Sequence, residues 1–320
     1  MDSQQTLEWN QMQFQEKLKY LKQLTDDQLY DLSYEYLNQF KKEEQGNLQQ
    51  MDQNDKKNFE NLKKDIEETI SDMNFQLDEM KNSQHSDSHQ INKNLVISYK
   101  IFEKTNTVSI RAEAELDIPW FNLVALVYEI DLFKNWFPFC KHAYTIKKPK
   151  KGEKIGYFEM NLPFISNREA YIQGIGIDRL EVNGTILIKC KTIHDDQQLL
   201  KELNINLSES KNVQVQLNFF ACEIFPVPGF KNKVKITTIS NVDPKVKFLP
   251  KWMLNFFAKK FGTYLMEKIF KLASDIKGTE WEKAINAPEN QEFYQWVSQR
   301  VQLHEEKTLQ KNQETKNQQK

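Results

Sequence analysis

Apolar residues in the first 84 positions of the chain recur near the spacing of an α-helix. Thr25 and Gln28 form a capping-box pattern, which predicts that a second helix begins there and ends near Gly46. A third helix, from Asn58 onward, carries apolar residues at intervals of three and four and therefore needs a partner. So few repeats favour an antiparallel helix pair within the chain over a long coiled coil. The polar run 85–94 is interpreted as a linker.

The period of the apolar pattern changes from helical to two after Leu95, which is typical of half-buried β-strands. The clearest case is 108–116, where apolar and polar residues alternate, and Pro119 then admits a helix over residues 120–133. Further strand-like runs cover 143–147, 154–162, 170–177, 184–193, 213–224 and 234–242. Short turns such as Asn183-Gly184, without strand-helix-strand alternation, predict an α+β fold with a meandering antiparallel sheet.

A long helix is predicted after Pro250, whose ring suits the first helical turn. Its apolar positions spread over one broad arc, and this arc must be buried against the sheet. A strongly curved sheet that packs around one helix leaves a cavity which the helix alone cannot fill. We therefore expect an apolar ligand between the sheet and the helix.

Charge divides the chain near the same boundary. Residues 1–90 hold 19 acidic and 10 basic residues, whereas the rest of the chain holds 26 acidic and 34 basic residues. The basic excess fits contact with anionic lipid head groups better than nucleic-acid binding, for which the sequence has no motif. Cys140, Cys190 and Cys222 are odd in number and widely spaced, so reduced thiols in the cytoplasm are expected. No signal peptide or membrane-spanning segment is predicted.

Three segments of the chain match one known family in order and spacing. Residues 162–169, LPFISNRE, resemble the Pro and Ser-Asn-Arg-Asp signature of START lipid-transfer domains, with Glu169 in place of Asp. Residues 243–255, DPKVKFLPKWMLN, resemble the family's entry into its C-terminal helix. Residues 129–136, EIDLFKNW, are similar to the helix end and tryptophan that precede its central strands. The resemblance covers residues from about 95 to 286.

This resemblance implies a helix-grip fold, in which a curved antiparallel sheet surrounds a long C-terminal helix and a tunnel for one lipid. It divides the chain into a helical extension at 1–84, the linker, a START-like domain at 95–287 and a helical or disordered tail at 288–320. Inward-facing strand positions and the helix arc predict the tunnel lining: Phe158 or Glu159, Ile172, Gly174, Ile188, Val215, Leu217, Ile236, Phe257, Phe261 and Leu265. The family's gate predicts membrane contact by Leu162, Phe164, Ile165, Trp252, Lys259 and Lys260.

Arg168, Glu169 and Asp243 are assigned structural roles. Arg168 is expected to form an ion pair that fixes a loop. Sterol-binding members of the family have an acidic residue where Glu159 stands, paired with an arginine on the neighbouring strand. Here the expected neighbour is Gly174, so the pair is broken. Phosphatidylcholine-binding members differ as well, since a basic residue is expected in place of Phe133. The sequence therefore leaves phospholipid, sterol and sphingolipid open.

The expected function is to bind one lipid and to transfer or sense it at intracellular membranes, without a cofactor, a metal or covalent chemistry. The alternative is a scaffold, in which residues 1–84 bind a protein partner and the lipid-binding domain regulates it. An enzyme would use His142 or His194 with Cys140 or Asp195, but these residues fit a solvated loop better.

A pair of histidines and a set of three aromatic residues lie outside the predicted tunnel. His85 and His89 lie in the linker without further ligands, so no metal site is expected there. Trp252, Phe256 and Phe270 fall outside the apolar arc of the last helix, so another surface must cover them. The acidic N-terminal region is one candidate, as a lid over this helix, and an anionic bilayer is the other.

Overall fold

The protein is described by a computed structural model over residues 8–82, 87–230, 232–246, 250–256, 260 and 262–318. The helices whose bounds are fully described before the sheet are α1 (Phe14–Asp26), α2 (Tyr30–Glu43), α3 (Gln45–Gln50) and α4 (Gln53–Asn82), and residues 8–11 are also helical. The predicted start of the second helix is wrong. Thr25 lies inside α1, where its hydroxyl donates to Leu21 O at 2.8 Å, and Gln28 has a φ of 62°, so α2 begins after this turn.

Among the described residues, nine strands form one antiparallel sheet in the order β1-β2-β3-β10-β9-β7-β6-β5-β4, and the short β8 pairs in parallel with β6. Their bounds are β1 (Asp87–Asn92), β2 (Leu95–Phe102), β3 (Thr107–Leu116), β4 (Cys140–Lys147), β5 (Glu153–Met160), β6 (Arg168–Arg179), β7 (Thr185–Thr192), β8 (Val213–Gln214), β9 (Gln216–Pro226) and β10 (Val234–Asp243). Strand β1 lies within the run interpreted as a linker. It is held by backbone pairing with β2 at the sheet edge, which a polar sequence can provide.

The remaining helices lie between the strands or after them in the chain. They are α5 (Trp120–Tyr128), α6 (Gln197–Glu202), α7 (Lys251–Phe256), α8 (Gly262–Ser274), α9 (Glu280–Asn286) and α10 (Gln291–Gln318), and a 3-10 turn at Ile130–Asn135 follows α5. The helix predicted after Pro250 corresponds to α7 and α8. The tail predicted from residue 288 is largely α10, and Phe293, Tyr294 and Val297 of this helix are buried in the core against α5. The folded domain therefore extends beyond residue 287.

Successive residues of a strand point to opposite faces of a sheet, and here helices pack against both faces. The inner face, which carries Leu116, Ile224 and Val234, packs against α5, α8 and α10. The outer face carries Ile177, Leu187, Ala221 and Ile239, all fully buried in one cluster with residues of α1, α2 and α4. The N-terminal helices therefore share a core with the sheet rather than forming a separate unit.

Acidic side chains of the N-terminal helices pair with basic side chains of the sheet. Arg179 binds Asp31 through two hydrogen bonds, of 2.8 Å from Nε and 3.2 Å from Nη2. The ammonium of Lys151 lies 2.8 Å from Asp27, and that of Lys189 lies 3.2 Å from Asp72. The prediction of a lid over the C-terminal helix is wrong, because the acidic surface lies on the other face of the sheet. Trp252 stays 57% exposed.

Candidate functional site

The inner face of the sheet is only partly covered by helices. Ile110 is 37% exposed, and Phe158, Ile172, Ile188 and Leu217 are half-buried. The helix α8 begins in close contact with this face, since a Cβ added to Gly262 would lie 2.1 Å from Ile97 Cδ1. A larger residue at this position would force the end of the Ile97 side chain to move, so glycine permits the close approach of α8 to β2. Away from this contact, the described apolar side chains of the inner face are only half-buried.

Most of the predicted tunnel residues lie on or next to this face. Ile172 pairs with Gly156, Gly174 with Cys190 and Ile236 with Ala114, which puts them on the inner side with half-buried Leu265 of α8. A Cβ on Gly174 would lie 3.1 Å from the Cys190 sulfur, so this glycine makes room for a thiol. Two further members, Val215 and Leu217, are half-buried where β8 meets β9. Phe257 and Phe261 lie outside the described residues.

The assignment of Glu159 to the tunnel is wrong. Its neighbour Phe158 faces inward, with its ring 5.5 Å from that of Phe133, so Glu159 points to the outer face. There it is buried and accepts hydrogen bonds from Lys141 at 2.9 Å and Asn167 at 3.1 Å. The expected neighbour Gly174 is also wrong, since Glu159 lies opposite Glu169. A basic partner is present, but it comes from β4 rather than β6.

Arg168 ties a loop in place, but it does so through carbonyl and hydroxyl oxygens rather than through the predicted ion pair. Its guanidinium donates to Pro244 O at 3.1 Å and to Ser166 Oγ at 2.8 Å, which ties the start of β6 to the segment after β10. Burial lowers the pKa of Arg168. Glu169 lies on the opposite face and accepts from Tyr157 at 3.0 Å. Asp243 accepts the backbone N–H of Lys245 at 2.8 Å and closes the turn after β10.

The predicted gate residues include an exposed aromatic cluster. Phe164 is 66% exposed and has a φ of 72°, which non-glycine residues rarely adopt. Its ring lies 5.4 Å from that of Trp252 and 5.7 Å from that of Phe256. The loop before β6 and helix α7 therefore meet through three aromatic side chains. Leu162 and Ile165 are half-buried beside them, Lys260 is exposed, and Lys259 lies outside the described residues.

A cavity of about 870 Å³ opens beside the start of α8. Gln90 of β1 and Cys140 of β4 both line it, although these strands are the two edges of the sheet. The sheet therefore curls until its edges approach the same helix. Lys134, Trp136 and Tyr264 also contribute to the wall. Sequence reasoning missed this cavity, although the family-like segment ending at Trp136 was a signal for it.

The candidate nucleophiles are not activated. Burial raises the pKa of Cys140 to about 11 and those of Cys190 and Cys222 to about 12, whereas a reactive cysteine needs a lowered pKa. His194 accepts the N–H of Tyr171 through Nε2 at 3.2 Å, and burial lowers its pKa. Within the described ranges, no group of three or more histidine, cysteine or acidic side chains could hold a metal ion. His85 lies outside them.

Comparison with known structures identifies the fold of this chain. No family model and no curated protein matches the chain. The structure of human STARD10 matches with a TM-score of 0.51 and 17% identity, over 70% of this chain and 84% of that one. Human StAR-related lipid transfer protein 5 matches with a TM-score of 0.50 and 13% identity, over 64% of this chain and 93% of that one.

The chain has the START fold. At these identities the likeness concerns the backbone architecture, in which an antiparallel sheet packs against a C-terminal helix, as the sequence predicted. In this START fold, none of the helices seen in the described part of the chain is long and apolar enough to cross a bilayer.

Exchange of Glu159 for glutamine should change stability and not ligand binding. Burial works against the charged form, but hydrogen bonds from Lys141 and Asn167 hold the pKa of Glu159 below its usual 4.5. Its stabilising effect is therefore complete above pH 4.5 and is lost as the pH falls through the lowered pKa. Glu159→Gln should cost about 1 kcal/mol near neutral pH and reduce the acid sensitivity of unfolding.

Chemical denaturation across the acid range, with bound lipids identified by mass spectrometry, checks this prediction. Glu103→Gln, in the exposed β2–β3 turn, is the matched control and should leave both properties unchanged. A changed lipid profile in Glu159→Gln with unaltered acid stability would return Glu159 to the binding site.

Proposed function

We propose that the protein binds one lipid between the inner face of the sheet and α8, and transfers or senses it at a membrane. The observation that carries the proposal is the partly uncovered apolar surface of the inner face, where Ile110 is 37% exposed and Ile172 and Leu217 are half-buried. Human STARD10 and human StAR-related lipid transfer protein 5 share this architecture, and the second protein is named for lipid transfer.

Apolar burial supplies the binding energy for such a ligand. Each methylene transferred from water is worth about 0.8 kcal/mol, so a long acyl chain enclosed by apolar side chains is held tightly. Release of the lipid then requires that the part of the protein which encloses it opens next to another apolar phase. A lipid carrier therefore needs a contact surface for membranes close to its ligand.

The cluster of Phe164, Trp252 and Phe256 fits this contact surface. Phe164 in the loop before β6 and Trp252 in α7 are exposed, Phe256 is half-buried, and α7 precedes the helix that covers the inner face. Aromatic side chains with apolar bodies insert at the level of lipid head groups. Lys260, exposed near this end of α8, adds attraction to anionic lipid.

A scaffold that uses residues 1–84 to bind another protein is less well supported. The apolar sides of α2 and α4 are occupied by the outer face of the sheet, and Asp27, Asp31 and Asp72 are paired with it. In the described part of these helices, Tyr34 and Phe75 are the exposed large hydrophobic side chains, so the apolar surface left for a partner is small.

A large side chain placed on the inner face should displace the ligand. Ser240 is half-buried between Ile110 and Phe220 on neighbouring strands, so Ser240→Trp would project into the uncovered region. We expect native mass spectrometry of the purified protein to show one bound lipid, which Ser240→Trp loses while its melting temperature stays within a few degrees. Ser240→Ala, which only removes the hydroxyl, should retain the lipid. A tightly packed interior would instead make Ser240→Trp strongly destabilising, and the unaltered protein would carry no lipid.

Truncation of the aromatic cluster should reduce membrane contact without affecting folding. Phe164→Ala together with Trp252→Ala is expected to lower liposome cosedimentation and the rate of lipid transfer between vesicles severalfold, because both rings are mostly exposed. Phe230→Ala is the control. Phe230 is 62% exposed, but it lies before the first residue of β10, whereas α7 follows the last residue of this strand. Equal losses in both variants, or none in the double variant, would remove this surface from the mechanism.

A further inference from the structure

We infer that the cavity beside α8 binds the anionic phosphate of a phospholipid head group. This inference rests on the proposed function and specifies the class of lipid. The cavity volume, about 870 Å³, lies within the range of small-molecule sites. It is open to solvent and lies at the end of α8 that approaches both edges of the sheet, where a polar head can remain hydrated while its chains enter the inner face.

Positive charge dominates the rim of this cavity. Lys134 and Lys260 line it, both are exposed, and neither forms an ion pair with another residue in the described part of the chain. Of the residues that line the described wall, Glu267 alone is acidic. The side-chain amides of Gln90 and Asn135 add uncharged donors. The resulting net positive charge favours an anion.

The wall of the cavity also contains a donor that lacks an acceptor. Trp136 is only 4% exposed, and its indole N–H has no hydrogen-bond partner among the described residues. A buried donor of this kind normally has a partner, because leaving it unpaired costs free energy. Phosphate and ester oxygens of a phospholipid supply such an acceptor, whereas an acyl chain does not.

Aromatic side chains in the same wall suggest a competing ligand. Trp136, Phe137, Phe139 and Tyr264 would suit the quaternary ammonium of choline, which binds to aromatic faces. Two unpaired lysines at the rim repel such a cation, and a single carboxylate does not offset them. The charges therefore favour an anionic phospholipid over phosphatidylcholine.

The test is a competition between two lipids that differ only in the head group. The full chain is incubated with vesicles of equimolar phosphatidylglycerol and phosphatidylcholine with identical acyl chains, and the lipid retained is identified by mass spectrometry. One lysine contributes about fivefold in affinity for an anionic lipid. We expect phosphatidylglycerol to be retained in excess, and Lys134→Gln and Lys260→Gln each to reduce the excess about fivefold.

Lys271→Gln is the matched control, because Lys271 is exposed on α8 but does not line the cavity. It should leave the excess unchanged. Equal retention of the two lipids, an excess of phosphatidylcholine, or an equal effect of all three lysine substitutions would overturn the inference. Retention of neither lipid would instead contradict the proposed function.

A soluble head-group analogue distinguishes a lipid from a free phosphate ester. Calorimetry with glycerol 3-phosphate should detect binding far weaker than retention of phosphatidylglycerol, because the acyl chains contribute most of the affinity. Tight binding of glycerol 3-phosphate by a protein that retains no phosphatidylglycerol would assign the cavity to a soluble phosphate ester and would overturn the lipid assignment.

Discussion

A wide antiparallel sheet with apolar residues on both sides can fold only if both sides are covered, and this constraint governs the whole molecule. Ile177, Leu187 and Ile239 on the outer face are fully buried beneath the N-terminal helices. Each such side chain contributes about 1.5–3 kcal/mol when it leaves water. Because these helices occupy the outer face, the proposed lipid-binding surface lies on the inner face, next to α8.

Charge complementarity orients the N-terminal helices more than it stabilises them. The pair between Arg179 and Asp31 has two hydrogen bonds and is largely buried, which fixes α2 relative to β6. Removing water from both groups offsets much of their attraction. The acidic residues 1–90 and the basic remainder of the chain are therefore two parts of one domain that contact each other. The basic residues near α8 that line the cavity are not part of this contact.

The sequence predicted the fold where its periodicity was unambiguous. Strands β3 and β10 alternate cleanly, so their bounds were close to those observed, and the family-like segments predicted the START fold. Strand β1 was not predicted because its sequence is polar and has no alternating apolar pattern, so that only its backbone pairing with β2 reveals it. Glu159 was placed on the wrong face because a shift of one residue reverses every side chain of a strand. The cavity combines Gln90, Lys134 and Lys260, which are far apart in sequence, so the segment ending at Trp136 marks only one side of it.

Native-state hydrogen exchange on the full chain tests most directly whether the N-terminal helices and the sheet form one domain. If they share a core, amides of α2 and α4, such as those of Leu37 and Ile70, should exchange only with global unfolding, at the same free energy as those of Leu187 and Ala221 in the sheet. Exchange of the helical amides at a free energy several kcal/mol lower, with the sheet still protected, would contradict the account and identify a separable N-terminal unit.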